Sequence, residues 1–215
     1  MVSILMPVYN GIEFMETSVH SVLEQTYKEW ELLIGINGHP PGSEVYQIAK
    51  TYETDPRIRV LDLTTKGKSN TLNTMLMDCS YSWIALLDVD DIWLPKKLEQ
   101  QVPLRSVYDV IGTHCQYFGE RLGQPDIPTG DLRTHDFLRV NPMINSSCIL
   151  KKEHCLWDGT VDGVEDYDLW LRLWRKKCCF YNLPESLTLH RIHQSSAFNA
   201  KGNHVQARDV VDRYR

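Results

Sequence analysis

The chain has 215 residues, 42% hydrophobic and 24% charged, an ordinary composition for a soluble globular protein and enough for one α/β domain with at most a small extension. A formal net charge of -5 and a pI near 5.9 exclude a nucleic-acid binder held by a general basic field, while leaving room for a local basic pocket that takes a phosphate. The six cysteines form no C-x-x-C pair and suit no zinc framework, so they read as buried reduced thiols in a cytoplasmic protein, and neither a secretory leader nor an apolar run of the ~20 residues that a spanning helix needs accompanies them.

Residues 2–8 are a short apolar run, read as a first parallel strand that delivers the polar loop Tyr9-Asn10-Gly11. Helical spacing follows over 12–25 through Phe14, Val19, Val22 and Leu23. Residues 31–36 form a second strand, closed by the turn signal at 37–42. Ser43 caps a helix through Val45, Ile48, Ala49 and Tyr52, and 58–63 is a third strand. A polar, basic loop at 64–70 leads to a helix over 71–79, and 83–87 is a fourth, buried strand. This alternation is the rhythm of a doubly wound parallel sheet, in which ligands bind at the carboxyl ends of the strands. That rule puts Tyr9-Asn10, Asn37-Gly38, the 66–70 loop and Asp88, Asp90 and Asp91 along one rim. A basic helix start follows Pro95. Beyond it the rhythm is lost. Short strands are expected at 107–113, 115–119, 146–150, 180–183 and 187–192, a mobile loop at 123–130, and helices at 167–174 and 205–215.

Three carboxylates, Asp88, Asp90 and Asp91, crowd the end of the fourth strand. Like charges so close want a positive partner, and a hard divalent cation is the candidate; the plain alternative is a solvated turn with an Asp helix cap. Glu165-Asp166 opens the helix of Tyr167, Trp170 and Trp174, either as acids favoured by the helix dipole or as a catalytic pair, and the two readings coexist. His190-Arg191-Ile192-His193 is read with its two histidines on one strand face and Arg191 on the other. His193 then completes a metal site, touches a phosphate, or is a half-exposed strand histidine. Lys66 and Lys68 either meet a diphosphate or are solvated, and the Trp170 and Trp174 stripe reads as core. Asn145-Ser146-Ser147 matches a glycosylation acceptor and reads as unused.

In order and spacing these pieces resemble a family 2 glycosyltransferase of the GT-A fold. The opening Ile4-Leu5-Met6-Pro7-Val8-Tyr9-Asn10-Gly11 is similar to that family's first strand and nucleotide loop, and Ser21-Val22-Leu23-Glu24-Gln25-Thr26-Tyr27 to its first helix ending. Leu87-Asp88-Val89-Asp90-Asp91 resembles the Asp-x-Asp segment, Glu165-Asp166-Tyr167-Asp168 the Glu-Asp segment, and the six residues from Arg191 to Ser196 the closing Arg-x-His-x-x-Ser.

The resemblance implies an α/β GT-A fold, with a mostly parallel central sheet, flanking helices and a small antiparallel acceptor-side sheet. It implies one domain over 1–215: a nucleotide-sugar half at 1–103, an acceptor-side half at 104–200, and a C-terminal helix at 201–215 whose missing capping signal fits a chain cut from a longer polypeptide. The implied activity is metal-dependent, inverting transfer of a sugar from a nucleotide-diphosphate sugar, a UDP-sugar first, to a hydroxyl of a glycan or glycoprotein acceptor. Asp166, beside Glu165, is then the general base. Mn2+ or Mg2+ sits at Asp90, with Asp91 the second ligand and His193 completing the site. Pro7, Val8, Tyr9, Asn10, Asn37, Lys66, Asn73 and Arg191 hold the nucleotide sugar, and Asp88 contacts its ribose or helps fix the ion. The loop at 119–132 shapes the acceptor side. Two positions depart from the family: Ile36 stands where an acid often reads the base, and Leu72 where an Arg is usual. The rivals are a nucleotidyltransferase, which would want a richer glycine loop than Asn10-Gly11, and an inactive sugar-nucleotide-binding module, for which Ile36 speaks.

Overall fold

The computed structural model describes residues 1–161, 163–194 and 203–215. Its strands are β1 (Val2–Val8), β2 (Trp30–Asn37), β3 (Ile58–Leu63), β4 (Trp83–Leu86), β5 (Ile92–Trp93), β6 (Val110–Gly119), β7 (Gly130–Asp131), β8 (Ile149–Lys151) and β9 (Phe180–Ile192). The helices are α1 (Met15–Leu23), α2 (Glu44–Lys50), α3 (Lys68–Met75), α4 (Lys97–Gln101), α5 (Glu165–Arg175) and α6 (Asn203–Arg213). All the strands join one sheet in the order β3-β2-β1-β4-β8-β6-β9-β5, with β7 on β9.

The first half follows the expected rhythm. β3, β2, β1 and β4 are parallel neighbours, in register from Val2 opposite Trp30 to Val8 opposite Ile36. β1, β2 and β4 are mostly apolar on both faces because both faces are covered, whereas the edge strand β3 carries Arg59 and the exposed Asp62. Val2, Ile4, Met6 and Val8 pack with Met15, Val19, Val22, Ala49 and Leu98, the side of α1, α2 and α4. Leu5 and Leu33 face the other way, onto Leu72, Met75, Leu169, Trp170 and Val210, the side of α3, α5 and α6. Trp170 is fully buried there, and Trp174 stacks on Phe137, so the tryptophan stripe is core.

The second half differs from the expected scatter of short strands. The acceptor-side strands do not make a sheet of their own; β8 pairs antiparallel with both β4 and β6, and β6 runs parallel to β9. The two expected pairs of strands are two long continuous strands, whose mutual pairing shifts register on either side of His114. Pairing steps from Thr113 opposite Leu183 to His114 opposite Ser186, so Pro184 and Glu185 are left out of the ladder. A proline has no N–H to give a ladder, which is why the break falls there. The segment expected as a strand at 146–150 begins as a 3-10 turn, Asn145–Ser147, and only Ile149–Lys151 is strand. α6, weakly amphipathic in sequence, docks through Val210 and Val211, 3% and 6% exposed, and through Tyr214 Oη, which donates to Asp168 Oδ1 at 2.9 Å. Burying one such side chain stabilises by roughly 1.5–3 kcal/mol, enough to hold a short helix in place. No helix among the described residues is long and apolar enough to cross a membrane. The six cysteines are free, four of them buried.

Candidate active site

A cleft of about 1840 Å³ opens along the carboxyl ends of the parallel strands. At one end Pro7, Tyr9 and Asn10 leave β1 and Asn37 ends β2, all of them lining the cleft. Tyr9 is 57% exposed, and its ring lies against Gly38, where a Cβ would come within 2.9 Å of the ring carbons. With φ at +73°, that position suits glycine twice over. His39 Nε2 sits 2.5 Å from the Tyr9 carbonyl and fixes the loop from the other strand. Asn37 is almost fully buried yet reaches the cleft. Ile36 is core, and the exposed acid opposite it in the sheet, Asp62, is spent accepting the Gly42 amide at 2.7 Å.

The turn after β4 brings Asp88, Asp90 and Asp91 together and then sends each to a different partner. Asp88 Oδ1 lies 2.6 Å from the Lys68 ammonium, and Asn145 Nδ2 donates to both its oxygens at 3.3 and 3.1 Å. Burial alone would raise its pKa, but Lys68 outweighs it and holds the carboxylate below its usual range. Asp91 is 1% exposed; it lies 3.1 Å from His190 Nδ1 and accepts the Arg191 amide at 2.8 Å. Burial opposes charging of His190, yet Asp91 wins and pushes its pKa up to about 9. Asp90 faces the cleft with His193 Nε2 at 3.0 Å from Oδ2. Burial, then the charges of Asp91 and Asp88, raise its pKa. Asp88 and Asp91 therefore meet cationic groups of the protein itself, and Asp90 is the one whose charge is least relieved.

Opposite this turn α5 begins. Its N-cap position is Val164, whose side chain makes no cap bond, and Asp166 Oδ1 instead accepts the first-turn amide of Tyr167 at 2.7 Å. Asp166 lines the cleft and accepts Asn141 Nδ2 at 3.3 Å. Burial, then repulsion from Glu165, push its pKa up to about 6 despite Lys68 nearby. Glu165 is 6% exposed; its Oε1 lies 3.4 Å from Lys68, and its Oε2 is buried with no partner among the described residues.

The other expected residues fall elsewhere. Lys66 lines the cleft. Val8 is buried in the core and supports the rim from behind. Asn73 is locked to Trp157 in both directions, at 2.8 and 3.0 Å, and does not line the cleft. The Arg191 guanidinium is held between the rings of Phe14 and Phe118, 4.4 and 4.3 Å away, and its Nε donates to the Asp90 carbonyl at 2.9 Å. It braces the acidic turn rather than lining the cleft. Positions 190 and 193 would fall on opposite faces of a regular strand. They serve one turn because β9 ends at Ile192, which frees His193 from the alternation, and Arg191 turns to that site as well. Ser195 and Ser196 lie outside the described residues. Sequence reasoning missed Asn141, Asn145 and the α6 wall, where Ala207, Arg208 and Val211 line the cleft; lone amides and a weakly amphipathic helix carry no local signal. The expected acceptor loop reaches the cleft through Arg121 and residues 124–127.

At the opposite rim, donor atoms of Asp109, His154 and Cys178 come within 4.8 Å of one another, a possibility the cysteine spacing had not suggested. Asp109 there already faces Lys151 Nζ at 2.6 Å and accepts the Cys179 amide at 2.8 Å. The trio therefore reads as a polar tie between β6, β8 and the approach to β9.

Comparison with known proteins places these features in company. The family model for glycosyl transferase family 2 matches residues 3–145. The O-antigen biosynthesis glycosyltransferase WbnJ of Escherichia coli is 31% identical over 210 residues, covering 91% of this chain and 81% of that one. The structure of S. aureus TarS 1–349 in complex with UDP-GlcNAc superposes with a TM-score of 0.77 at 14% identity, over 93% of this chain and 60% of that one. The mannosyltransferase PcManGT of Pyrobaculum calidifontis, in complex with GDP-Man and Mn2+, gives 0.74 at 16% identity, over 99% of this chain and 64% of its own. The chain thus spans less than two thirds of these two structures, and they share its GT-A fold.

Proposed function

As the chain belongs to glycosyl transferase family 2 and is a glycosyltransferase, we propose that it moves a sugar from a nucleotide-diphosphate sugar, a UDP-sugar first, to an acceptor hydroxyl of a glycan or glycoprotein, with inversion. The observation that carries this reading is Asp166: a carboxylate raised to about 6, facing a cleft across from Asp90. A base works best when its pKa lies near the working pH, and burial beside Glu165 moves this one in that direction.

In the proposed step the acceptor oxygen bonds to the anomeric carbon as that carbon's bond to the diphosphate oxygen breaks. The electron pair leaves on the nucleoside diphosphate, and the acceptor's proton passes to Asp166. One base facing the leaving group across the sugar gives single displacement and therefore inversion. Tyr9, Asn10 and Asn37 hold the nucleoside, with Pro7 and Lys66 beside them, and Asp88 orients the ribose. Asn37 takes over base reading where Ile36 is apolar, because an amide offers both a donor and an acceptor.

Carboxylate and imidazole donors at Asp90 and His193, with the negative charge of Asp90 disfavoured by burial and by Asp91 and Asp88, fit a divalent cation such as Mn2+. Such an ion, when bound, supplies charge that stabilises the departing diphosphate. Asp91, buried against His190, is a brace of that site rather than its second ligand. The 1–215 stretch acts as one GT-A unit, with the 121–127 loop and α6 bounding the acceptor side.

The test is release of nucleoside diphosphate from UDP-glucose, UDP-N-acetylglucosamine and GDP-mannose, with Mn2+ and with EDTA. Mn2+-dependent release from at least one donor is expected. Binding without release in every case would favour the inactive sugar-nucleotide module.

A further inference from the structure

Lys68 is the first residue of α3, and there it stands against local physics. A helix N-terminus carries partial positive charge, so acids are favoured and a lysine is not. The first turn of α3 has no acidic residue to offset it. The compensation is tertiary: the Lys68 ammonium lies 2.6 Å from Asp88 Oδ1 and 3.4 Å from Glu165 Oε1. One side chain thereby joins three elements far apart in sequence, the start of α3, the turn after β4 and the start of α5. Asn145 holds Asp88 from another side, so Asp88 is a fixed anchor. Glu165 is nearly buried, with Oε2 unpartnered among the described residues, so the ammonium at Oε1 is the contact that orients it. Asp166 is the next residue of the same helical turn. Without Lys68, the carboxylates of Asp88, Glu165 and Asp166 would face one another with their main compensating charge removed, and the start of α5 would be pushed away from the donor side.

Resting on the glycosyl-transfer reading, we propose that Lys68 is a positioning residue for the transfer step: an ammonium strut that fixes the Glu165-Asp166 pair against the anchor Asp88. A strut and a diphosphate contact make different demands. Loss of a diphosphate contact weakens the donor in both ground and transition states and raises KM. Loss of a strut leaves the donor bound and misplaces the base. A displacement of ~1 Å in a catalytic group costs about 10²-fold in rate.

The experiment measures Mn2+-supported release of nucleoside diphosphate from whichever of UDP-glucose, UDP-N-acetylglucosamine and GDP-mannose the wild-type protein turns over. Lys68→Met should lower kcat about 10²-fold while donor KM stays within about threefold of wild type. Lys68→Arg, whose fork can reach both carboxylates, should recover at least about a tenth of the wild-type kcat. If circular dichroism shows Lys68→Met unfolded, Lys68→Gln carries the same comparison, since its shorter amide can serve Asp88 without reaching Glu165. A kcat within about threefold of wild type, or a loss confined to donor KM, overturns the strut. Absence of turnover by the wild-type protein with all three donors overturns the transfer reading itself, and the strut with it.

Discussion

Asp91 and Asp166 are both aspartates that follow a cleft-lining acid, and the fold treats them in opposite ways. Asp91 is sealed, 1% exposed, against a histidine whose pKa it raises to about 9 and against the Arg191 amide. Its charge is spent fastening β9 to the acidic turn. Asp166 has no cation in contact with it among the described residues; burial, then the like charge of Glu165, raise its pKa to about 6 although Lys68 nearby and the Tyr167 amide pull the other way. A buried carboxylate in direct contact with a cation becomes a structural tie; one buried without that contact keeps a raised pKa and can take up a proton. Residue type and immediate neighbours in sequence are the same in kind, so partners from distant elements decide the job.

The largest expected effect breaks the reactive half of that contrast. Asp166→Asn should lower turnover by about 10²–10⁴-fold, the usual share of a general base, with calorimetric donor affinity unchanged. Full activity in that variant would assign the base elsewhere. The next strikes the structural half. Asp91→Ala removes the buried counter-charge that the half-buried His190 and the Arg191 amide share and should cost about 3 kcal/mol in urea unfolding. A loss under about 1 kcal/mol would mean that the pair does not tie β9 to the turn. Smaller again is the acid limb of the pH profile. Asp166 must be deprotonated to accept a proton, so turnover should hold above pH 6 and fall as pH drops through about 6. A limb near pH 4, where an ordinary carboxylate titrates, would show that burial does not set the base.

The parallel half of the sheet was legible in the sequence because β1, β2 and β4 are buried on both faces and read as largely apolar runs, with β3 a half-exposed edge. The rim followed from them by the rule of strand ends. The second half was legible only in pieces, because one proline, Pro184, divides β9 in sequence without dividing it in space. Among site residues, those carried by short motifs were readable: Tyr9, Asn10, Asp88, Asp90 and Asp166 all reach the cleft. What could not be read was the pairing. The sequence shows three acids in need of positive charge and suggests an ion, whereas Lys68 arrives from α3, His190 from β9 and the His193 imidazole from just beyond it, at separations that no local pattern encodes. Asn73 and Arg191 resemble ligand contacts by motif, yet one is locked to Trp157 and the other braced between two rings.

Behind the acidic turn lies the converse of Asp91, a buried cation paired with no carboxylate among the described residues. Lys97 is 0% exposed, donates to Gln101 Oε1 at 2.8 Å and sits 4.0 Å from the centre of the Trp93 ring. Burial lowers its pKa to about 7, whereas the unfolded chain keeps the ordinary value of 10.5. Between these values the unfolded state holds a proton that the folded state does not, so stability should rise with pH, by at most about 1.4 kcal/mol per unit. His190 has the opposite sign. Its folded pKa is raised from 6.5 to about 9, so its contribution is full below pH 6.5 and is lost as pH rises through about 9. From pH 7 to 8.5 the two trends oppose each other and flatten the wild-type profile. Lys97→Met keeps the volume, removes the rising contribution and should leave stability falling over that interval in urea denaturation; His190→Gln should leave it rising. Profiles for both variants parallel to wild type would mean that neither group changes its protonation on folding, and the division between a cation sealed with its partner and one buried without would lose its energetic basis.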